Sequence, residues 1–116
     1  MSNVVIYHNP SCGTSRNTLA LLREKGIEPQ VVEYLKAGWT KGQIEDLVTR
    51  MGGSVRDILR VRGTKADELG LTDPSVSDDA IIAAMIIDPI LVNRPIVATS
   101  KGAALCRPAE LVLGLI

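Results

Sequence analysis

At 116 residues the chain falls short of the ~150 residues of a typical domain, which excludes two large, separately folded domains. Thirteen Lys and Arg balance thirteen Asp and Glu, so no net field draws the protein to nucleic acid or an anionic membrane, and any cationic chemistry is local. A composition 46% hydrophobic and 22% charged is that of a packed globule, while 3% aromatic residues, with no Phe, removes base stacking as a route to single-stranded nucleic acid.

The N-terminal stretch Met1 to Ile6 has no basic flank and no long apolar region with a small-residue cleavage site, so it does not read as a signal peptide, and a cytoplasmic protein is expected. Val4-Val5-Ile6-Tyr7 reads as a buried strand cut off by the turn Asn9-Pro10. Ser15 to Lys25 carries Leu19 and Leu22 at helical spacing, with Arg23 and Lys25 in the last turn and Gly26 as the stop. Val31-Val32, running to about Tyr34, is a second strand, so the opening third is a β-α-β unit with a parallel pair.

About residues 36–89 form a helical insert within a single domain spanning 1–116. Thr40 and Gln43 make a capping box before Ile44, Leu47, Val48 and Met51, and Gly52-Gly53 ends that helix. Ser54 with Asp57 opens a short helix through Arg60; Ser77-Asp78-Asp79 opens another, with apolar Ile81, Ile82, Met85 and Ile86, stopped by Pro89. The longest apolar run, Ala80 to Ile87, is far below the ~20 residues needed to cross a bilayer. Leu91-Val92, Ile96 to Thr99 and Ala103 to Leu105 read as strand segments, the last two a hairpin through Ser100-Lys101-Gly102. Pro108 at a first helical position starts Ala109 to Leu115. The class is α/β, a β-α-β and β-β-α core around the insert.

Cys12 lies between the end of the first strand and the start of the first helix, where unpaired N–H groups favour a thiolate. A thiol of pKa ~8.5 is roughly 3% ionised at pH 7, and one lowered to ~6.5 roughly three-quarters. The helix start, and His8 if protonated and close, push in that direction, so Cys12 is expected to be largely ionised; the bland alternative is a small buried hydrophobe. Ser15 occupies the place where a two-residue dithiol loop needs a second Cys, and Thr18 the place where a phosphatase-like thiol loop needs Arg. A one-thiol site remains, with electrons from outside. His8 is the only histidine, which argues against a metal site, and by itself it reads equally as a turn histidine without a role. Arg60, Arg94 and Arg107 would bind a tetrahedral anion if clustered, although each alone reads as a surface arginine. Cys106, at a strand end, reads as a packed core thiol rather than a resolving one.

The stretches Tyr7 to Thr18, Ser54 to Arg60, Leu91 to Val97 and Leu105 to Pro108 together resemble the glutaredoxin-coupled arsenate reductase family, over nearly the whole chain and in the right order. The resemblance implies a thioredoxin-like fold, a cis bond before Pro95, and reduction of arsenate to arsenite. It implies Cys12 as nucleophile, His8 and Ser15 as groups that help ionise it, and Arg60, Arg94 and Arg107 as oxyanion holders. It further implies glutathione as co-substrate and glutaredoxin as partner, with no bound cofactor, no metal, no nucleic acid and no membrane. Two other readings belong beside it: a redox-sensitive transcriptional regulator of the same fold that binds RNA polymerase, and a related reductase of another substrate. Three oxyanion arginines favour the enzyme.

Overall fold

The computed structural model describes residues 3–116; Met1 and Ser2, the start of the stretch read for a signal peptide, lie outside the described residues. The chain divides into two compact units, one running through Ala37 and resuming at Arg94, the other spanning Gly38–Asn93.

The first unit contains β1 (Val5–His8), α1 (Gly13–Glu24), β2 (Gln30–Glu33), the single turn α2 (Tyr34–Ala37), β3 (Ile96–Thr99), β4 (Gly102–Leu105) and a 3-10 helix over Ala109–Leu115. The sheet order is β2-β1-β3-β4, with β2 parallel to β1 and both other pairs antiparallel. Ile6 sits opposite Val31 on one side and Val97 on the other, which fixes the register of the three strands. Val4, Ile6, Leu22, Val97, Cys106 and Val112 form one buried cluster, so the inner face of α1 closes over β1 and β3. Strand alternation puts His8 on the buried face with Ile6. The C-terminal 3-10 helix packs against α1 and β4, and the Thr99 hydroxyl donates to the Leu115 carbonyl at 2.7 Å.

In the second unit, α3 (Lys41–Met51) opens with the expected capping box of Thr40 and Gln43 and closes at Gly52, whose φ of 71° is the left-handed conformation that glycine adopts without strain. A 3-10 helix over Val55–Ile58 opens with the Ser54–Asp57 box, α4 spans Asp78–Ile87 behind Ser77, and a 3-10 turn covers Pro89–Leu91. Ile44, Leu47, Val55, Ile58, Ile81, Met85 and Leu91 are buried. The stretch without regular structure before α4 is tied down by Arg56, whose guanidinium donates to the carbonyls of Asp73, Pro74 and Val76.

Four sequence expectations change. Tyr34 begins α2 instead of ending β2. The helix expected through Arg60 is a 3-10 turn that ends at Ile58, and the Arg60 N–H pairs with the Leu91 carbonyl at 2.7 Å. Leu91 lies in a 3-10 turn and Val92 forms only an isolated bridge with Leu59, because Pro89 has no N–H and fixes a tight turn there. Pro108 is the N-cap of a 3-10 helix rather than a first helical residue. The bonds before Pro95 and Pro108 are both cis; only the first was implied by resemblance. Among the described residues no helix is long and apolar enough to cross a membrane.

Leu22 is fully buried at the centre of the α1 contact with the sheet. Leu22→Ala is expected to lower unfolding free energy by about 2–5 kcal/mol, read as a shift in the urea midpoint at unchanged slope.

Candidate active site

β1 ends at His8, α1 begins at Gly13, and four residues, Asn9 to Cys12, make the connection. Asn9 organises it. Its carbonyl accepts the Cys12 N–H at 3.0 Å, its side-chain oxygen accepts the Ser11 N–H at 3.0 Å, and its own N–H donates to the Ser15 hydroxyl at 3.1 Å. Sequence reasoning missed Asn9; the signal was present, since Asn before Pro at a strand end is the residue that bonds its own turn. The Arg16 guanidinium closes the loop from outside by donating to the Pro10 carbonyl at 2.9 Å.

Cys12 is the N-cap residue of α1, extended at φ −94° and ψ 121°, with its carbonyl accepting the Arg16 N–H at 3.0 Å. The thiol is half-buried. Burial pushes its pKa up, and that is outweighed by the Ser15 backbone N–H at the helix start and by the guanidiniums of Arg94 and Arg107, which bring it down to about 7. Arg107 Nη1 lies 3.7 Å from Cys12 Sγ and donates to the Arg94 carbonyl at 3.0 Å. A value near 7 makes about half of Cys12 thiolate at pH 7, less than the large majority expected from sequence.

His8 Nδ1 lies 2.6 Å from Ser15 Oγ, and both residues are buried. Burial lowers the His8 pKa below its ordinary value; Glu33 opposes this, and Arg23 and Arg16 reinforce it. The ring is therefore mainly neutral at pH 7. Its proximity to Ser15 thus acts through a hydrogen bond, not through a positive charge beside the sulfur.

Arg94 and Arg107 stand with Cys12 in the first unit, while Arg60 belongs to the second. There Arg60 Nε donates to the Arg62 carbonyl at 3.1 Å and Nη1 to Asn93 Oδ1 at 3.2 Å. Cys106 is fully buried, and burial drives its pKa up to about 12. Among the described residues no group of three His, Cys, Asp or Glu side chains is placed to hold a metal ion.

The two thiols should therefore separate in alkylation. Iodoacetamide is expected to modify Cys12 with a rate that rises through a midpoint near pH 7 and levels off above it, because the reactive form is the deprotonated one. Cys106 should stay unmodified in the native protein across that range. Replacing Arg94 or Arg107 by Ala should move the Cys12 midpoint upward, as mass spectrometry of the labelled peptide against pH will report.

A model of the ArsC family matches residues 7–115. An arsenate reductase from Rhizobium meliloti is 52% identical over 113 residues, covering 97% of this chain and 81% of the relative. An arsenate reductase from Escherichia coli K12 is 48% identical over 116 residues, covering 100% of this chain and 82% of the relative. Among solved structures, an arsenate reductase from Vibrio cholerae aligns with a TM-score of 0.94 at 43% identity, covering 98% of each chain. The fold is the thioredoxin-like α/β fold expected from the four motifs, and by the extent of these matches the chain belongs to the ArsC family.

Proposed function

We propose that this protein reduces arsenate to arsenite in the cytoplasm, with Cys12 as its single nucleophile and glutathione and glutaredoxin as the source of electrons. The observation that carries the reading is the Cys12 sulfur on the N-terminus of α1, 3.7 Å from the Arg107 guanidinium and with Arg94 lowering its pKa, in a chain whose relatives are arsenate reductases. A thiolate and an oxyanion repel each other, and cationic forks beside the thiolate offset that repulsion. Arg94 and Arg107 hold the oxyanion; for Arg60 as a third holder the support is the family resemblance.

Ser15 and His8 act on the nucleophile indirectly. Ser15 supplies the backbone N–H that favours the thiolate, and its hydroxyl, bonded to His8 and to the Asn9 N–H, fixes the turn from which that N–H points. The need for an external thiol comes from Cys106: a buried group with pKa about 12 is protonated and shielded at pH 7, so a second thiol has to come from solution. Cys12 attacks arsenic, forming an S–As bond as one oxygen leaves as water. Glutathione displaces a second oxygen in the same way. A glutaredoxin thiolate then attacks the glutathione sulfur, forming a disulfide and leaving the S–As electron pair on arsenic, which passes from As(V) to As(III). Hydrolysis of the remaining Cys12–arsenic bond releases arsenite and the free thiol. The electrons come from soluble thiols, with no resident cofactor.

The test is arsenate-dependent NADPH oxidation with glutathione, glutathione reductase and glutaredoxin present. Cys12→Ser should abolish turnover and Cys106→Ser should retain most of it, while Arg94→Ala and Arg107→Ala should raise KM for arsenate. Equal loss in both cysteine variants, with folding intact, would assign Cys106 a resolving role and overturn the single-nucleophile mechanism. No arsenate-dependent oxidation by the wild-type protein, together with its retention of RNA polymerase, would favour the regulator reading instead.

A further inference from the structure

We infer that Asn93 is a positioning residue for the Arg60 guanidinium, and through it for the affinity of the oxyanion substrate. The inference deepens the proposed function, because it rests on the reading of Arg60 as an oxyanion holder.

Sequence reasoning ended a helix at Arg60 and read Asn93 only as part of a motif. In the structure, residues 58–60 run antiparallel to 91–93: Leu59 bridges Val92, the Arg60 N–H donates to the Leu91 carbonyl at 2.7 Å, and the Asn93 N–H donates to the Ile58 carbonyl at 2.8 Å. These two hydrogen bonds flank the bridge and make Arg60 and Asn93 diagonal neighbours across it, a separation that a long side chain spans. Arg60 Nη1 does span it, donating to Asn93 Oδ1 at 3.2 Å. On its other edge Nε donates to the Arg62 carbonyl at 3.1 Å, and the Thr64 hydroxyl donates to the Arg60 carbonyl at 2.6 Å. Backbone and guanidinium are thus fixed from separate stretches of chain.

Bracing of this kind has two physical consequences. A long arginine loses much rotamer freedom when an anion fixes it, and holding it beforehand removes that cost from binding. The acceptor is an amide oxygen, which orients the guanidinium without neutralising it; a carboxylate at the same place would orient it and compete with the oxyanion for its charge. Asn is therefore the residue type that serves positioning, and Asp of almost the same shape is the diagnostic variant.

The experiment measures kcat and KM for arsenate in the coupled assay for wild type, Asn93→Ala, Asn93→Asp, Arg60→Ala and the Arg60→Ala/Asn93→Ala double variant, with the pH midpoint of Cys12 alkylation as an independent readout. Asn93→Ala is expected to raise KM for arsenate about three- to tenfold, the net size of one ordinary hydrogen bond, with kcat and the Cys12 midpoint unchanged. Asn93→Asp should raise KM further although it keeps the shape of the side chain. In the Arg60→Ala background, Asn93→Ala should add nothing, because its effect passes through the missing guanidinium. The inference is overturned if Arg60→Ala raises KM while Asn93→Ala does not, or if the two effects multiply in the double variant. If Arg60→Ala leaves KM unchanged, the oxyanion role of Arg60 itself is wrong and this inference falls with it, a result distinct from the other two.

Discussion

The geometry around Cys12 stems from one constraint: the chain has to leave a buried strand at His8 and enter a helix at Gly13 with only four residues between them. Backbone donors in so short a connection need partners, and Asn9 accepts two of them with its carbonyl and its amide oxygen while its own N–H donates to the Ser15 hydroxyl. The N-cap position is then left to a cysteine, whose side chain makes no cap hydrogen bond, where Ser, Thr, Asp or Asn would commonly cap the first turn. Forgoing a good cap costs about 0.5–2 kcal/mol of helix stability. In exchange the positive end of the helix acts on a sulfur atom. The stability is given up at the residue whose thiol the helix start can act on, a local inconsistency of the kind expected at functional positions.

The contrast between the two thiols shows that environment, not residue type, sets reactivity. Cys106 lies within the cluster of Ile6, Leu22 and Val97, where desolvation far outweighs the one backbone hydrogen bond, from Val97, that favours a thiolate. Cys12 is also partly desolvated, yet the Ser15 N–H and two guanidiniums reverse the sign of the shift. His8 obeys the same physics from the other side: burial outweighs the opposing pull of Glu33 and favours the neutral ring, which pairs with the buried Ser15 hydroxyl with no buried charge.

What the sequence made legible is what depends on neighbours in the chain. The capping boxes at Thr40 and Ser54 start their helices as read, because both partners of each box are three residues apart. Cys12 at a strand-to-helix turn was readable for the same reason. The extent of the helix after Ser54 was not, since a 3-10 turn and an α-helical turn share their opening residues and diverge only beyond the first turn, where Arg60 finds its backbone acceptor on Leu91. The surroundings of Arg60 and Arg107 were equally unreadable. Their partners Asn93 and Arg94 lie 33 and 13 residues away in sequence, and periodicity carries no information about such pairs. The four motifs identified the family where spacing alone left each arginine an ordinary surface residue.

In a chain of zero net charge any positive potential has to be local, and the way the arginines are held bears on where it lies. Arg23, Lys36, Lys41 and Arg50 pair with carboxylates near the surface, where such pairs contribute little to stability. Arg16, Arg60 and Arg107 are oriented by neutral oxygens: the carbonyls of Pro10, Arg62 and Arg94 and the amide of Asn93. A dipole fixes a guanidinium almost as well as a carboxylate does and leaves its net charge in place. Cations braced by dipoles keep their charge whether, like Arg56, they tie down a stretch of chain or, like Arg107, they lie against the Cys12 sulfur, so positive potential at Cys12 needs no excess of basic residues.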